Sequence, residues 1–86
     1  MYYVYLIHSK TLGQYYIGQT NDLRRRLLEH NSGESKWTSR ANDWKLIYYE
    51  AFTSRSLAMN REHKLKHHAR GRQELLKRVI EKSGEG

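Results

Sequence analysis

Five side chains spread through the sequence have the chemistry needed to hydrolyse a phosphodiester bond: Tyr5, Tyr16, Arg26, His30 and Glu62. A lone carboxylate can hold Mg²⁺ or Mn²⁺ when water and substrate phosphate supply the remaining ligands. A guanidinium binds a phosphate through two N–H donors and stabilises the negative charge on it. A phenol or an imidazole can accept or relay a proton when its neighbours bring its pKa toward the working pH. These residue types predict phosphodiester hydrolysis, provided that the fold brings them together.

The stretch from residue 15 to residue 30 predicts a strand, a tight turn and a helix. Aromatic and β-branched residues come first, and Asp22 with its polar neighbours can then cap the first turn of a helix. With Leu23 at the centre of the buried face, a step of about 100° per residue turns Arg26 and His30 inward. The same geometry turns the two preceding arginines toward solvent.

An antiparallel hairpin is predicted around the turn residues 9–13. The predicted strands span residues 2–8 and 14–18. A turn centred between residues 10 and 11 would place Tyr5 opposite or nearly opposite Tyr16, whereas a slip of one residue would separate the two phenols. Gly18 ends the second strand, and its missing side chain would let a phosphate approach the backbone closely.

The sequence between about residues 31 and 43 has no clean period and predicts a loop after the first helix. Its Lys36, Trp37 and Arg40 are candidates to bind a nucleic-acid substrate. Trp37 either stacks on a base or packs over the edge of the core, and packing is the more common of the two. A third strand is predicted over residues 44–52.

A second helix is predicted from caps at Thr53 or Ser54 to about residue 68. Its inward face contains Ala58, Glu62, Leu65 and Ala69. The carboxylate of Glu62 is expensive to bury unless a cation, hydrogen bonds or a metal ion meets it. An ion pair with an arginine and a metal site are both open at this stage. The pair His63 and His67 faces away from this stripe and is more typical of a solvated surface than of a metal site.

Residues 69–72 are predicted to interrupt the helical pattern before a short third helix, whose apolar face contains Leu75, Leu76, Val79 and Ile80. Half of the lysines and arginines lie from Arg61 onward, so these two helices could follow a nucleic-acid backbone. Lys66 and Arg70 are candidate contacts for that backbone. The tail, residues 83–86, is expected to fray.

The composition favours a small protein that binds nucleic acid. Sixteen Lys and Arg against nine Asp and Glu leave a formal charge of +7 in 86 residues. That charge attracts phosphate polymers, although small domains also carry net charge for solubility alone. The length fits one domain over residues 1–82. The absence of cysteine excludes disulfides and thiolate metal sites, and the lack of a long apolar segment or secretory signal predicts a cytoplasmic protein without a membrane partner.

Four motifs together resemble, in order and spacing, the signature of the GIY-YIG nuclease superfamily: Tyr3-Val4-Tyr5, Tyr16-Ile17-Gly18, Asp22-Leu23 with Arg26 and His30, and Arg61-Glu62. Residues 36–38 and 61–66 are similar to the small stand-alone bacterial members. The strands and helices predicted along the sequence give an α+β fold in the order β-β-α-β-α-α. The resemblance implies that the three strands form a central antiparallel sheet flanked by helices.

The resemblance also implies a DNA-cleaving site. Glu62 would bind one divalent metal ion, Mg²⁺ or Mn²⁺, and Arg26 would contact the scissile phosphate. Tyr5, Tyr16 and His30 would position or deprotonate the attacking water, and which tyrosine acts as the base is left open. Low sequence specificity is expected, because small members lack the separate DNA-binding domain of other family enzymes. Structure-selective cleavage in DNA repair or recombination is open.

Two departures and two alternatives accompany this resemblance. Tyr3 stands where the family name has Gly, and no asparagine follows Asn60, although many family nucleases have one downstream of the metal-binding Glu. One alternative is a non-catalytic nucleic-acid-binding module with the same fold. The other is a nuclease subunit that is active only with a protein partner. A monomer is expected, with an oligomer left open.

Overall fold

The aromatic and β-branched segments form a three-stranded antiparallel sheet in the computed structural model, which describes residues 1–82. The strands are β1 (Tyr2–Ser9), β2 (Gln14–Thr20) and β3 (Trp44–Phe52), in the order β2-β1-β3. The helices are α1 (Leu23–Asn31), α2 (Arg55–His67) and α3 (Ala69–Lys82), and a short 3₁₀ helix, Thr38–Arg40, precedes β3. The predicted α+β fold and its element order are confirmed, while the predicted tail lies outside the described residues.

Side chains of β1 alternate between two cores on opposite faces of the sheet, as the period of two in a strand requires. Val4 and Leu6 face α2 and α3. Tyr5 and Ile7 face the opposite layer, where the buried Trp44 and leucines of α1 cover them. The central strand therefore supports both helical layers, and Tyr5 lies in the layer beneath α1.

The hairpin has a different register from the predicted one. Tyr5 pairs with Gly18 and Ile7 pairs with Tyr16, which centres the turn between residues 11 and 12. Because this register differs by two residues from the predicted one, both tyrosines still emerge on one face. Strand β2 also continues past its predicted end to Thr20, since β1 supplies partners that far along.

The turn geometry accounts for this register. Gly13 has a φ of +64°, which favours glycine, and its N–H donates to the carbonyl of Ser9 at 2.8 Å. Asp43, just before β3, accepts hydrogen bonds from Ser9 Oγ at 2.6 Å and from the Thr11 N–H at 2.9 Å. These hydrogen bonds lower the pKa of Asp43 to about 2. The carboxylate thus joins the hairpin turn to the start of the third strand.

Both helix starts that the sequence predicts are confirmed by their caps. The carboxylate of Asp22 accepts the N–H of Arg25 at 3.0 Å. The hydroxyl of Ser54 accepts the N–H of Leu57 at 3.2 Å. Each cap satisfies one of the backbone donors that the first turn of a helix leaves unpaired.

The predicted interruption at residues 69–72 is wrong, because these residues form the first turn of α3. The break lies at His68, whose extended backbone (φ −118°, ψ 93°) ends α2. Arg72 Nη1 donates to the carbonyls of Leu65 and Lys66 at 3.3 and 2.8 Å, which satisfies the end of that helix. Ala69 is consequently exposed at the start of α3 and does not belong to the buried stripe.

The third helix is also longer than predicted. It has 14 residues, more than α1 or α2. No helix within the described residues is long and apolar enough to cross a membrane.

The amide of Asn31 closes the loop between α1 and β3. Its Nδ2 donates to the carbonyl of Trp44 at 3.0 Å, and the N–H of Trp44 donates to its Oδ1 at 2.7 Å. The side chain of Trp44 also contacts the middle of the loop, where its Nε1 donates to the carbonyl of Thr38 at 2.8 Å. The loop is therefore tied at both ends and along its length, and it carries Trp37 and Thr38 beside α1.

Candidate active site

A buried line of hydrogen bonds joins β1, α1 and the loop. Tyr5 Oη lies 2.7 Å from His30 Nε2, and His30 Nδ1 lies 2.6 Å from Thr38 Oγ1. When the proton of His30 is on Nδ1, each of the three side chains has a hydrogen-bond partner for its donor and acceptor atoms. Nδ1–H donates to Thr38, the Thr38 hydroxyl donates onward to the carbonyl of Ser35 at 3.4 Å, and Nε2 accepts the phenol proton. Tyr5 and His30 are 3% and 0% exposed, so this arrangement is fixed by the core.

The same burial sets the protonation states of this pair. Burial raises the pKa of Tyr5 to about 12, and the nearby Arg26 guanidinium opposes this rise. Burial, with the positive charge of Arg26, lowers the pKa of His30 to about 4. At neutral pH the phenol is therefore protonated and the imidazole is neutral. The charge of Arg26 alone does not bring the pKa of Tyr5 toward neutrality, because desolvation is the larger effect.

Arg26 and Arg25 take the orientations predicted from helical period. The side chain of Arg26 is 30% exposed and donates from Nη1 to Glu29 Oε1 at 2.9 Å. The side chain of Arg25 is 58% exposed and lies 3.7 Å from the other oxygen of Glu29. Of these two arginines, Arg26 is the one that shifts the pKa of both Tyr5 and His30. One guanidinium of the arginine run thus belongs to the site, and its acidic partner is Glu29.

Tyr16 extends the cluster toward the edge of the sheet. Its ring centroid lies 5.1 Å from that of His30 and 6.5 Å from that of Tyr5. The ring of Trp37 stacks on it at 5.7 Å with an interplanar angle of 26°. The ammonium of Lys66 lies 5.2 Å from the Tyr16 ring centroid, in cation–π contact. Because β2 is an edge strand, this phenol connects the α1 layer with α2 on the other face.

Glu62 reaches the site from α2. Its side chain is 23% exposed, and Oε2 lies 3.2 Å from Lys66 Nζ. The cation that meets this carboxylate is therefore a lysine one helical turn away rather than an arginine. The negative charge of Glu62 is also among the influences that raise the pKa of Tyr5, so the carboxylate and Arg26 act on the same phenol.

The residues present fit a divalent cation held by one carboxylate. No group of three or more His, Cys, Asp or Glu side chains is arranged to hold a metal ion among residues 1–80, whose side chains the structure describes. Glu62 is half-buried and already binds a cationic group, the ammonium of Lys66. A hydrated Mg²⁺ or Mn²⁺ requires little more from the protein, because water and phosphate complete its shell. Glu62 is thus the residue that could hold the ion.

Glycine is needed at position 18 for a different reason from the predicted one. A Cβ at Gly18 would overlap Tyr5 Oη and would lie 2.6 Å from the adjacent ring carbon. The space above this glycine therefore holds the Tyr5 phenol and is not open to a phosphate. Glycine is needed here so that Tyr5 can lie across the neighbouring strand and reach His30.

The other predicted substrate-binding residues fall into two groups. Trp37 is 41% exposed, packs against Tyr16 and Trp44, and has the guanidinium of Arg40 at 5.3 Å from its ring centroid. Lys36 is exposed beside it. Arg70, in contrast, has a side chain that is 93% exposed on α3, where its Nε lies 3.4 Å from Glu74 Oε1. The rings of His63 and His67 lie 4.3 Å apart on the exposed face of α2.

Sequence reasoning missed one residue, Thr38, and one contact, the ion pair between Glu62 and Lys66. Thr38 holds His30 Nδ1, but it lies in a segment without a period, where no pattern indicates which side chain turns inward. The pairing of Glu62 with Lys66 had a readable signal, since Glu followed by Lys four residues later is a favourable helical pair.

Comparison with known proteins finds a family match over most of the chain. The GIY-YIG catalytic domain matches residues 1–74. A UPF0213 protein of Halobacterium salinarum is 40% identical over 77 residues, which cover 88% of this chain and 99% of that protein. A UPF0213 protein of Streptococcus pneumoniae is 44% identical over 73 residues, with 84% and 73% covered. The solution NMR structure of a UPF0213 protein from Bacillus halodurans is similar with a TM-score of 0.55 and 36% identity, covering 92% of this chain and 85% of that one.

Proposed function

Because the chain belongs to the GIY-YIG family, we propose that it is a metal-dependent endonuclease that hydrolyses DNA phosphodiester bonds with low sequence specificity. The observation that carries this proposal is the Tyr5 phenol, which is bonded to His30 and perturbed by both Arg26 and Glu62. A proton acceptor is thus bonded to this hydroxyl, and a guanidinium for the phosphate and a carboxylate for a metal ion both act on it electrostatically. A binding surface alone does not need a half-buried carboxylate among its cations.

The resting protonation states support a proton relay through Tyr5. As the attacking water forms its bond to phosphorus, it gives a proton to Tyr5 Oη while the phenol passes its own proton to Nε2 of the neutral His30. The bond from phosphorus to the 3′ oxygen breaks, and that oxygen leaves with the electron pair and takes a proton from solvent water. Thr38 accepts from Nδ1–H and so keeps the imidazole in the tautomer that can receive it. The negative charge of a bound phosphate favours the imidazolium and offsets its low pKa. Tyr5 rather than Tyr16 is the tyrosine that has this acceptor within hydrogen-bond distance.

Arg26 stabilises the phosphate during attack. Its partly exposed guanidinium has Glu29 as its partner in the free protein, and a phosphate can replace or share that contact. Glu62 would hold a divalent ion, which would supply Lewis-acid stabilisation of the charge on the phosphate oxygens.

The test is cleavage by the purified chain, with Mg²⁺ or Mn²⁺, of single-stranded, duplex, flap and junction DNA. We expect Arg26→Ala and Glu62→Gln each to lower the rate by about 10²–10³-fold, as loss of one transition-state contact typically does. Arg25→Ala and Glu74→Gln are matched controls, since both side chains are more exposed members of ion pairs. Full activity in Arg26→Ala or Glu62→Gln would show that the assignment is wrong.

The same assay separates the alternatives. Salt-sensitive DNA binding without cleavage under any metal would favour a non-catalytic binding module. Cleavage that appears only when a cell extract is added would favour a subunit that requires a protein partner. Preference within the DNA panel would indicate whether the enzyme selects branched structures, as a repair or recombination nuclease does.

A further inference from the structure

A cavity of about 460 Å³ opens beside the edge strand β2, between the Trp37 loop and the helices α2 and α3. Its aromatic wall consists of Tyr15, Tyr16 and Trp37, and Leu76 contributes to its apolar side. Two cationic side chains, Lys66 and Arg72, also line this cavity. The volume lies within the range of about 300–1,000 Å³ that is common for small-ligand sites.

The lining has the chemistry of a nucleotide site. Aromatic rings provide stacking surface for a planar base. Trp37 is stacked on Tyr16 and is 41% exposed at the cavity. Lysine and arginine beside such rings suit the phosphate that accompanies the base. The formal charge of +7 makes an anionic polymer a better match for this cavity than a neutral ligand.

The cavity shares Tyr16 and Lys66 with the candidate active site. A base bound there would therefore belong to a nucleotide next to the phosphate that Arg26 and Glu62 engage. A base in a duplex is stacked and paired, so it reaches a side pocket only when it is extruded or already unpaired.

We propose that this cavity binds one unpaired base adjacent to the bond that is cleaved. The proposal rests on the proposed nuclease function for its orientation, and it makes DNA with a bulged, flapped or single-stranded nucleotide the preferred substrate class. Low sequence specificity follows, because stacking accepts the π-face of any base.

The test measures binding by the wild-type chain in EDTA, so that no cleavage occurs. Three matched duplexes are compared: one with a single extrahelical thymidine, one with an abasic residue at the same place and one fully paired. We expect the thymidine duplex to bind about tenfold tighter than the abasic one, in line with the energy of one base stacked on an aromatic side chain. Equal affinities for the thymidine and abasic duplexes would overturn the proposal.

Two variants assign the effect to the cavity. Trp37→Ala should remove the preference for the thymidine duplex, whereas Tyr49→Ala should retain it, since Tyr49 is an exposed aromatic residue (53%) on β3 at the other edge of the sheet. Fluorescence gives a readout that does not require an unfolding-prone variant. Trp37 is 41% exposed and Trp44 only 2%, so quenching of the wild-type chain by the thymidine duplex reports on Trp37.

Failure of this inference is distinguishable from failure of the proposed function. Metal-dependent cleavage with no discrimination between thymidine and abasic bulges overturns the cavity assignment and leaves the nuclease standing. Discrimination with no cleavage under any metal supports the cavity as a base site and overturns the nuclease.

Discussion

Lys66 Nζ lies 3.2 Å from Glu62 Oε2, so the carboxylate that could hold a metal ion already has a cation beside it. Metal binding must displace or share this contact, and partly exposed ion pairs typically contribute about 0.2–1 kcal/mol. We therefore expect Lys66→Met to bind Mn²⁺ about two- to fivefold tighter than the wild-type chain. Electron paramagnetic resonance of Mn²⁺ without DNA measures this directly. Lys64→Met, an exposed lysine on the same helix, should leave the affinity unchanged.

The same Mn²⁺ measurement on Glu62→Gln tests whether Glu62 is the metal ligand. The amide cannot replace a charged ligand, so we expect Mn²⁺ binding at this site to be lost. An unaltered Mn²⁺ affinity in Lys66→Met would show that Lys66 does not compete with the metal ion for Glu62. Retained Mn²⁺ binding in Glu62→Gln would show that Glu62 is not the ligand.

Gly18→Ala should damage both stability and activity. The new methyl would overlap Tyr5 Oη and displace the phenol from His30, because the ring has no space on its buried side. Overpacking of this kind typically costs about 1–3 kcal/mol in the free energy of unfolding. Urea denaturation and cleavage assays measure the two effects. Gly71→Ala is the control, since a Cβ there meets nothing within 4 Å and should stabilise α3 by about 0.5–1 kcal/mol.

Thr38→Val tests the buried hydrogen bond to His30. Valine keeps the shape of threonine but leaves Nδ1 without its partner, which should lower the free energy of unfolding by about 1–3 kcal/mol. We also expect slower cleavage, because the imidazole loses the contact that fixes its tautomer. Thr53→Val, at an exposed position outside the helices and strands, should change neither property. Wild-type stability and rate in Thr38→Val would show that this contact is dispensable.

His30 should make the protein lose stability as the pH falls below neutrality. Its pKa is lowered from 6.5 to about 4 in the folded protein, so between these values the unfolded chain binds a proton that the folded protein does not. The free energy of unfolding therefore falls as the pH falls, by at most about 1.4 kcal/mol per pH unit, and this contribution levels off below pH 4.

Urea denaturation across that range gives the slope. His30→Gln should make it shallower, and His68→Gln should not, since His68 is exposed between α2 and α3. The same slope in the wild-type chain and His30→Gln would mean that another group is responsible.

Much of the fold was predictable because local pattern and final packing agree. Helical period turned Arg26 and His30 inward, and short polar side chains at Asp22 and Ser54 marked two helix starts correctly. The register of the hairpin was not predictable from its strands. It depends on Asp43, which follows the turn by more than thirty residues in the sequence.

The remaining differences also have tertiary causes. The break at His68 is satisfied by Arg72 from the next helix, so the sequence of α2 alone does not show where it ends. The role of Gly18 depends on a side chain of the neighbouring strand. The candidate site residues could be proposed from the sequence, whereas the Thr38 contact and the cavity beside β2 appear only when distant segments pack.

The hydrogen bond between His30 and Thr38 closes residues 31–37 of the loop into an arc. The chain between these two residues leaves α1, passes Gly33 (φ +84°) on the surface and returns to the imidazole. Because this arc is closed at both ends, doubling its length adds only about 0.6 kcal/mol of closure entropy. The arc is thus a position at which an inserted segment can add new contacts to a substrate while the Tyr5–His30 pair stays in place.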